Sequence, residues 1–187
     1  GEVARVGAHA AQGWVMMAGV RLYVYLECTM GLGTLWADKR RIEGQDTLTV
    51  DPDQAGHCPS FGVLFTSAAP AVVEMRLGFS LHSVEGARRL AMASHRYSFD
   101  QAVYATQDAW NAYANHVQVE GGTEDQKQIL YSSLYHSLVK PARWPGEGPW
   151  WQAEAARGAP FYLDFATMWD QYKTQLPLLI SLYPERG

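Results

Sequence analysis

The run FYLDFATMWDQYKTQ, Phe161 to Gln175, gathers Asp164, Trp169, Asp170 and Lys173 into one short segment. An indole face beside a carboxylate and an ammonium suits a sugar. The ring stacks on the apolar face of the pyranose, and the charged groups take its hydroxyls in pairs. Read as a helix, the segment makes Trp169 and Lys173 i and i+4 neighbours, with Asp170 one step round. The same residues also describe an ordinary helix start, with a surface Asp–Lys pair and a core Trp. His136 and Arg143 form a second candidate pair, placed near the same pocket. Their plainer reading is a core histidine with its hydrogen bonds satisfied and an arginine lying over the face of Trp144. Asp164 and Asp170 lie six positions apart. They could span the roughly 6.5–9.5 Å that an inverting acid/base pair needs, although many helices carry such pairs.

Other chemistry is excluded more firmly. The sequence has no GxSxG, HExxH, P-loop or GxGxxG pattern. His9, His57, His82, His95 and His116 show no ligand spacing, and the two cysteines, Cys28 and Cys58, make no zinc motif. Those cysteines are compatible with one disulfide or with two buried thiols. The net charge of −4, without a basic stripe, speaks against nucleic acid as a partner. No apolar run reaches the about 18 residues of a membrane helix. With 48% hydrophobic and 18% charged residues, the chain has enough apolar matter for a real core. Seven Trp make it unusually aromatic.

Two kinds of element must position these residues. Residues 1–82 read as strands. In Trp14–Met30, Leu22, Val24 and Leu26 alternate with Tyr23, Tyr25 and Glu27, the period of a sheet with unlike faces. Phe61–Ser67 and Ala71–Leu81 are further strand candidates, the latter with Val73, Met75, Leu77 and Phe79 on one face. Asp46–Ser60 reads as loop. The period then turns helical. Val84–Ala93 is a helix capped by Ser83, and a second begins near Ser98, with Ser98 and Gln101 at capping-box spacing. Phe99, Val103, Trp110 and Tyr113 form its apolar stripe. A third helix starts at Thr123, with Gln126 completing a capping box, and carries Leu130, Leu134 and Leu138 until Pro141. Residues 142–160 read as loop. A fourth helix runs from about Ala166 through Leu176–Leu182, kinked or first broken at Pro177 and ended by Pro184. Being apolar on nearly all sides, it belongs inside a larger bundle.

Three segments, in order, resemble a known family. EGGTEDQKQILYSSLYHSLVKPAR, Glu120 to Arg143, is similar to the "EGGTEDQ…FYTALYHS…PR" segment of glycoside hydrolase family 92, the bacterial exo-acting α-mannosidases. DFATMWDQYKTQLPLLISLYPER, Asp164 to Arg186, resembles its "DFSLWDTYRTLHPLL…PER" segment. VEMRLGFSLHSVEGARRL, Val73 to Leu90, looks like the strand and connector upstream. The likeness covers roughly residues 71–187, and the first 70 residues are compatible with it.

The resemblance implies a multidomain all-β plus all-α chain. Residues 1–82 would be the C-terminal part of a β-sandwich domain, 83–119 a helical connector, and 120–187 the start of an incomplete (α/α)6 toroid. It implies a fragment of a calcium-dependent inverting exo-α-mannosidase, inactive alone, with mannose-containing glycans as partners and a secreted, periplasmic or cell-surface location. Trp169 and Asp170 would line the pocket for the terminal mannose, with Asp164, Lys173, His136 and Arg143 as substrate-binding neighbours. The catalytic acid and base and most Ca2+ ligands would lie beyond Gly187. Three features depart from the family pattern. Lys173 stands where Arg is usual, turning a bidentate clamp into a point charge. The Asp164-to-Trp169 spacing is one residue longer, and WPGEGPWW replaces an acidic, Tyr-containing loop. The alternatives are a non-catalytic carbohydrate-binding or interaction module and another (α/α)6 glycosidase.

Overall fold

A computed structural model of the protein describes residues 1–17, 19–51, 60–65, 67, 69–144, 146–148, 161–163 and 171–187. The described strands are β1 (Glu2–Arg5), β2 (Ala10–Met17), β3 (Val20–Cys28), β4 (Leu35–Ala37), β5 (Arg40–Ile42), β6 (Thr47–Thr49), β7 (Phe61–Val63), β8 (Met75–Ser80), β9 (Ala142–Arg143) and β10 (Tyr162–Leu163). The α-helices are α1 (Val84–Ala93), α2 (Phe99–Ala114), α3 (Glu124–Val139) and α4 (Gln175–Leu182). The chain divides into two compact units, Gly1–Phe99 and Asp100–Gly187.

The first unit is built on two antiparallel sheets. One has five strands in the order β6-β1-β2-β3-β8, and the other has three in the order β5-β4-β7. The longest ladder joins β2 to β3, from Ala10 opposite Glu27 to Met17 opposite Val20. Between the sheets lies a cavity of about 420 Å³, lined largely by apolar side chains such as Val3, Val15, Val24, Trp36 and Phe61. The β4–β5 turn uses positive φ at Asp38 and Lys39, of 46° and 67°. Arg5 ties the edge by donating through Nε to Asp46 Oδ1 at 2.9 Å and through Nη1 to the Gly33 carbonyl at 2.6 Å.

The other face of the large sheet receives α1. Ser83 caps this helix, its side chain accepting from the Gly86 amide at 3.0 Å, as the sequence predicts. Small residues let helix and strand approach closely. Ala87 and Ala91 are fully buried and pack with Tyr25. A Cβ on Gly78 would strike the Ala87 carbonyl and come within 2.6 Å of the Ala91 amide. Ser80 sits beside them, fully buried, and accepts from the His82 amide at 3.1 Å. At the far end of α1, His95 Nε2 meets Glu27 Oε2 at 2.6 Å.

Several sequence expectations change here. Ala71–Leu81 shortens to β8. Met75, Leu77 and Phe79 do share a face, but they remain 50%, 47% and 42% exposed, because the face packed on α1 is that of Gly78 and Ser80. The loop-like stretch 46–60 begins with β6, and the hairpin β4–β5 was not predicted at all. Cys28 is a buried free thiol, while Cys58 lies outside the described residues. Among the described residues no helix is long and apolar enough to cross a membrane.

In the second unit Leu134, Leu138, Leu179 and Tyr183 form the buried core, with Trp110, Tyr113, Val117, Tyr131 and Leu182 packed against it. Leu130, expected on the same stripe, is 39% exposed, and on α2 Phe99 and Val103 are exposed while Trp110 and Tyr113 reach the core. The described part of the last helix begins at Gln175, so Pro177 falls in the first turn, where its missing amide costs no hydrogen bond. Pro177 therefore neither breaks nor ends this helix.

Gly78→Ala is expected to lower the unfolding free energy of the first unit by about 3 kcal/mol, since backbone rather than a flexible side chain must yield. A urea unfolding curve checks this. A midpoint unchanged from wild type would show that α1 does not rest on β8 as described.

Candidate functional site

The elements around the candidate residues begin with the start of α3. Thr123 Oγ1 accepts from the Gln126 amide at 3.2 Å, and Gln126 Oε1 accepts from the Thr123 amide at 2.9 Å. This is the capping box the sequence predicts. Glu124 and Asp125 occupy the first turn, where the helix dipole favours anions, and Lys127 donates to Glu124 at 3.0 Å. The preceding extended stretch is held by Tyr131, whose hydroxyl donates to the Val117 carbonyl at 2.9 Å.

His136 lies on the last turns of α3 and is exposed, so the core-histidine reading does not hold. Its ring centroid is 5.5 Å from that of Tyr135, which in turn sits 4.6 Å from Trp110. Arg143 is exposed on β9, with Tyr162 opposite it in the ladder and Ala142 opposite Leu163. Residues 142–160 therefore do not start as loop, since Ala142–Arg143 pairs with Tyr162–Leu163. The Trp144 amide extends this ladder by donating to the Phe161 carbonyl at 2.8 Å. Among the described residues of this unit, Arg186 is the arginine set over aromatic rings, at 5.7 Å from the Tyr113 centroid and 5.3 Å from that of Tyr162.

Asp164, Trp169 and Asp170 lie outside the described residues. Both flanks of their segment are described. It follows Leu163, held beside Ala142, and precedes Gln171, whose carbonyl accepts from the Leu176 amide at 3.0 Å. Lys173 belongs to the turn before α4 rather than to a helix, and its ammonium lies 5.5 Å from the Tyr172 ring centroid. The i, i+4 relation expected between Trp169 and Lys173 involves a residue outside those described. What the described residues bring together is the end of α3 with His136, the hairpin with Arg143, and the two flanks of the segment 164–170.

Calcium asks for six to eight oxygen ligands, mostly carboxylates and carbonyls. Among the described residues no group of three or more His, Cys, Asp or Glu side chains could hold a metal. The described residues do not fit a calcium centre. The lining of the cavity between the sheets holds none of the candidate sugar-binding residues.

Residues 86–187 match the Glycosyl hydrolase family 92 catalytic domain, more than half of the chain. The chain belongs to that family. A curated protein of Arthroderma benhamiae, described as an uncharacterized secreted glycosidase, is 26% identical over 115 residues, 59% of this chain and 14% of its own length. A family 92 inverting mannosidase from Bacteroides thetaiotaomicron superposes with a TM-score of 0.69 at 18% identity, covering 95% of this chain and 26% of that one. A family 92 α-mannosidase from the same organism gives 0.62 at 15%, covering 95% and 25%. At such identities the structural likeness shows the fold alone: antiparallel sheets followed by helices, over nearly the whole chain. The family 92 chain thus spans about a quarter of its solved relatives.

Sequence reasoning passed over three residues of this unit. Tyr183 is fully buried and donates through its hydroxyl to the Tyr113 carbonyl at 2.8 Å, with the His116 ring stacked on it at 4.9 Å. Gln175 and Arg186 reach the end of α3. The signal for Arg186 was its place in the quoted PER motif, and for Gln175 and Tyr183 there was none.

Tyr183 gives a pH prediction. Burial, then the neighbouring Tyr113 phenol, push its pKa above the ordinary value near 10, with Arg186 opposing. A raised folded-state pKa means that the folded form keeps its proton while the unfolded form loses it. The contribution is complete below the unfolded value and is lost as pH climbs through about 10 and beyond. Thermal melts should therefore show the second unit weakening above about pH 10. Tyr183→Phe should flatten that slope and cost about 1 kcal/mol at neutral pH by removing one of the two hydrogen bonds to the Tyr113 carbonyl, which keeps the His116 amide. An unchanged alkaline slope in Tyr183→Phe would show that Tyr183 is not the group that titrates.

Proposed function

We propose that the parent protein is a secreted, calcium-dependent exo-α-mannosidase that acts with inversion, and that this chain supplies one wall of its mannose pocket. The match of residues 86–187 to the family 92 catalytic domain carries this reading. The inverting mannosidase and α-mannosidase among the solved relatives support the substrate and stereochemistry, and the secreted glycosidase supports the location. The calcium requirement rests on the family resemblance of the three sequence segments. On the same basis, residues 1–82 close a sandwich domain, 83–119 connect, and the helices from 120 onward open a toroid.

In this reading Trp169 stacks on the terminal mannose and Asp170 accepts its hydroxyls, with Asp164, Lys173, His136 and Arg143 around them. An exposed His136 and an exposed Arg143, on the last turns of α3 and the hairpin that follows it, are compatible with a polar wall that meets solvent and sugar. The acid, the base and most calcium ligands are assigned to the rest of the parent.

The full-length protein should release mannose from an aryl α-mannoside, lose that activity with chelator, and regain it with Ca2+. Asp170→Asn should lower kcat/KM by about tenfold or more. The 187-residue chain alone should show no turnover. Mannose release unaffected by chelator would remove the calcium requirement, and turnover by the isolated chain would contradict the assignment of the catalytic groups elsewhere.

A further inference from the structure

α3 ends at Val139, and the last carbonyls of a helix have no partners within it. Here two side chains from the flanks of α4 supply them. Gln175 Nε2 donates to the carbonyls of Ser137 at 2.8 Å and Lys140 at 3.1 Å. Arg186 Nη2 donates to those of Leu138 at 3.0 Å and Pro141 at 2.9 Å. A cation at this end also meets the negative pole of the helix dipole.

Arg186 does more than cap. Leu138 lies two residues after His136, and Pro141 two before Arg143. The same guanidinium faces the ring of Tyr162, the ladder partner of Arg143. One planar group thus touches the helix end, the turn and the second strand of the hairpin. Its Nε is buried and has no acceptor among the described residues. A buried donor left unpaired is costly, so a cap alone would be better made by a smaller group. Lysine, a point charge on a flexible stem, has no planar fork to hold two carbonyls while it faces two aromatic rings.

We infer that Arg186 is a positioning residue, whose guanidinium sets the spacing between His136 and Arg143 on the sugar-binding wall without itself touching sugar. The inference rests on the mannosidase reading for its functional consequence, though not for its geometry.

The test uses the full-length protein with Arg186→Lys, and with Leu179→Ala as a variant that weakens the same core. Arg186→Lys should raise KM for an aryl α-mannoside about tenfold with kcat nearly unchanged. Leu179→Ala should lower the melting temperature and leave KM alone. Amide exchange is read in parallel. Arg186→Lys should speed exchange at Trp144, which donates across the hairpin, about tenfold relative to amides inside α3. A KM as insensitive to Arg186→Lys as to Leu179→Ala would overturn the positioning role. If the wild type releases no mannose, the mannosidase reading fails, and the exchange at Trp144 decides alone: faster exchange upholds Arg186 as the tie, and unchanged exchange overturns it.

Discussion

The carbonyl end of α3 is the constraint on which the second unit depends. A helix that stops at Val139, just before Pro141, cannot finish with the left-handed glycine that usually closes such ends. Its carbonyls must be met from elsewhere or remain unpaired beside a buried core. Gln175 and Arg186 meet them from either end of α4. Leu179 and Tyr183, between those two residues, fill the space against Leu134 and Leu138. Polar capping and apolar packing therefore act on the same pair of helices. From that joint the chain turns at once into β9, so the direction of Arg143 follows from how α3 ends.

The first unit obeys a different constraint, the close approach of α1 to β8. Glycine, serine and two alanines at the contact leave the helix backbone almost on the sheet. The large residues of β8 are turned to the other face as a result. That face has Val24 and Leu26 as the ladder partners of Phe79 and Leu77, and it carries much exposed apolar surface. A sheet with one face finished by a helix and the other partly open agrees with a chain that spans about a quarter of its solved relatives.

Much of this was legible in the sequence where local chemistry decides it. Ser83, Thr123 and Gln126 announced helix starts through side chains that can satisfy free amides, and the structure uses them in that way. The alternation in β3 announced a sheet. Three-residue strands such as β4 and β5 were not legible, because a period of two needs more positions to show, and the pairing β9–β10 is made across residues far apart in the chain. The late start of α4 was missed because the apolar pattern runs on through a turn that the backbone takes before Gln175. For the site, the sequence pointed to His136 and Arg143, and both are exposed, on the end of α3 and on the hairpin that follows it. It could not show that Arg186 links them, since that depends on where the last turn of α3 meets α4 in space.

In the proposed mannosidase, the segment from His136 to Lys173 forms a wall of the mannose pocket. The most direct measurement is a crystal structure of the full-length protein with a mannose-shaped imino-sugar inhibitor bound. The sugar ring is expected to stack on Trp169, with Asp170 accepting its hydroxyls and Arg143 or His136 within hydrogen-bond reach of the ligand. An inhibitor bound with no atom of residues 136–173 in contact would contradict it.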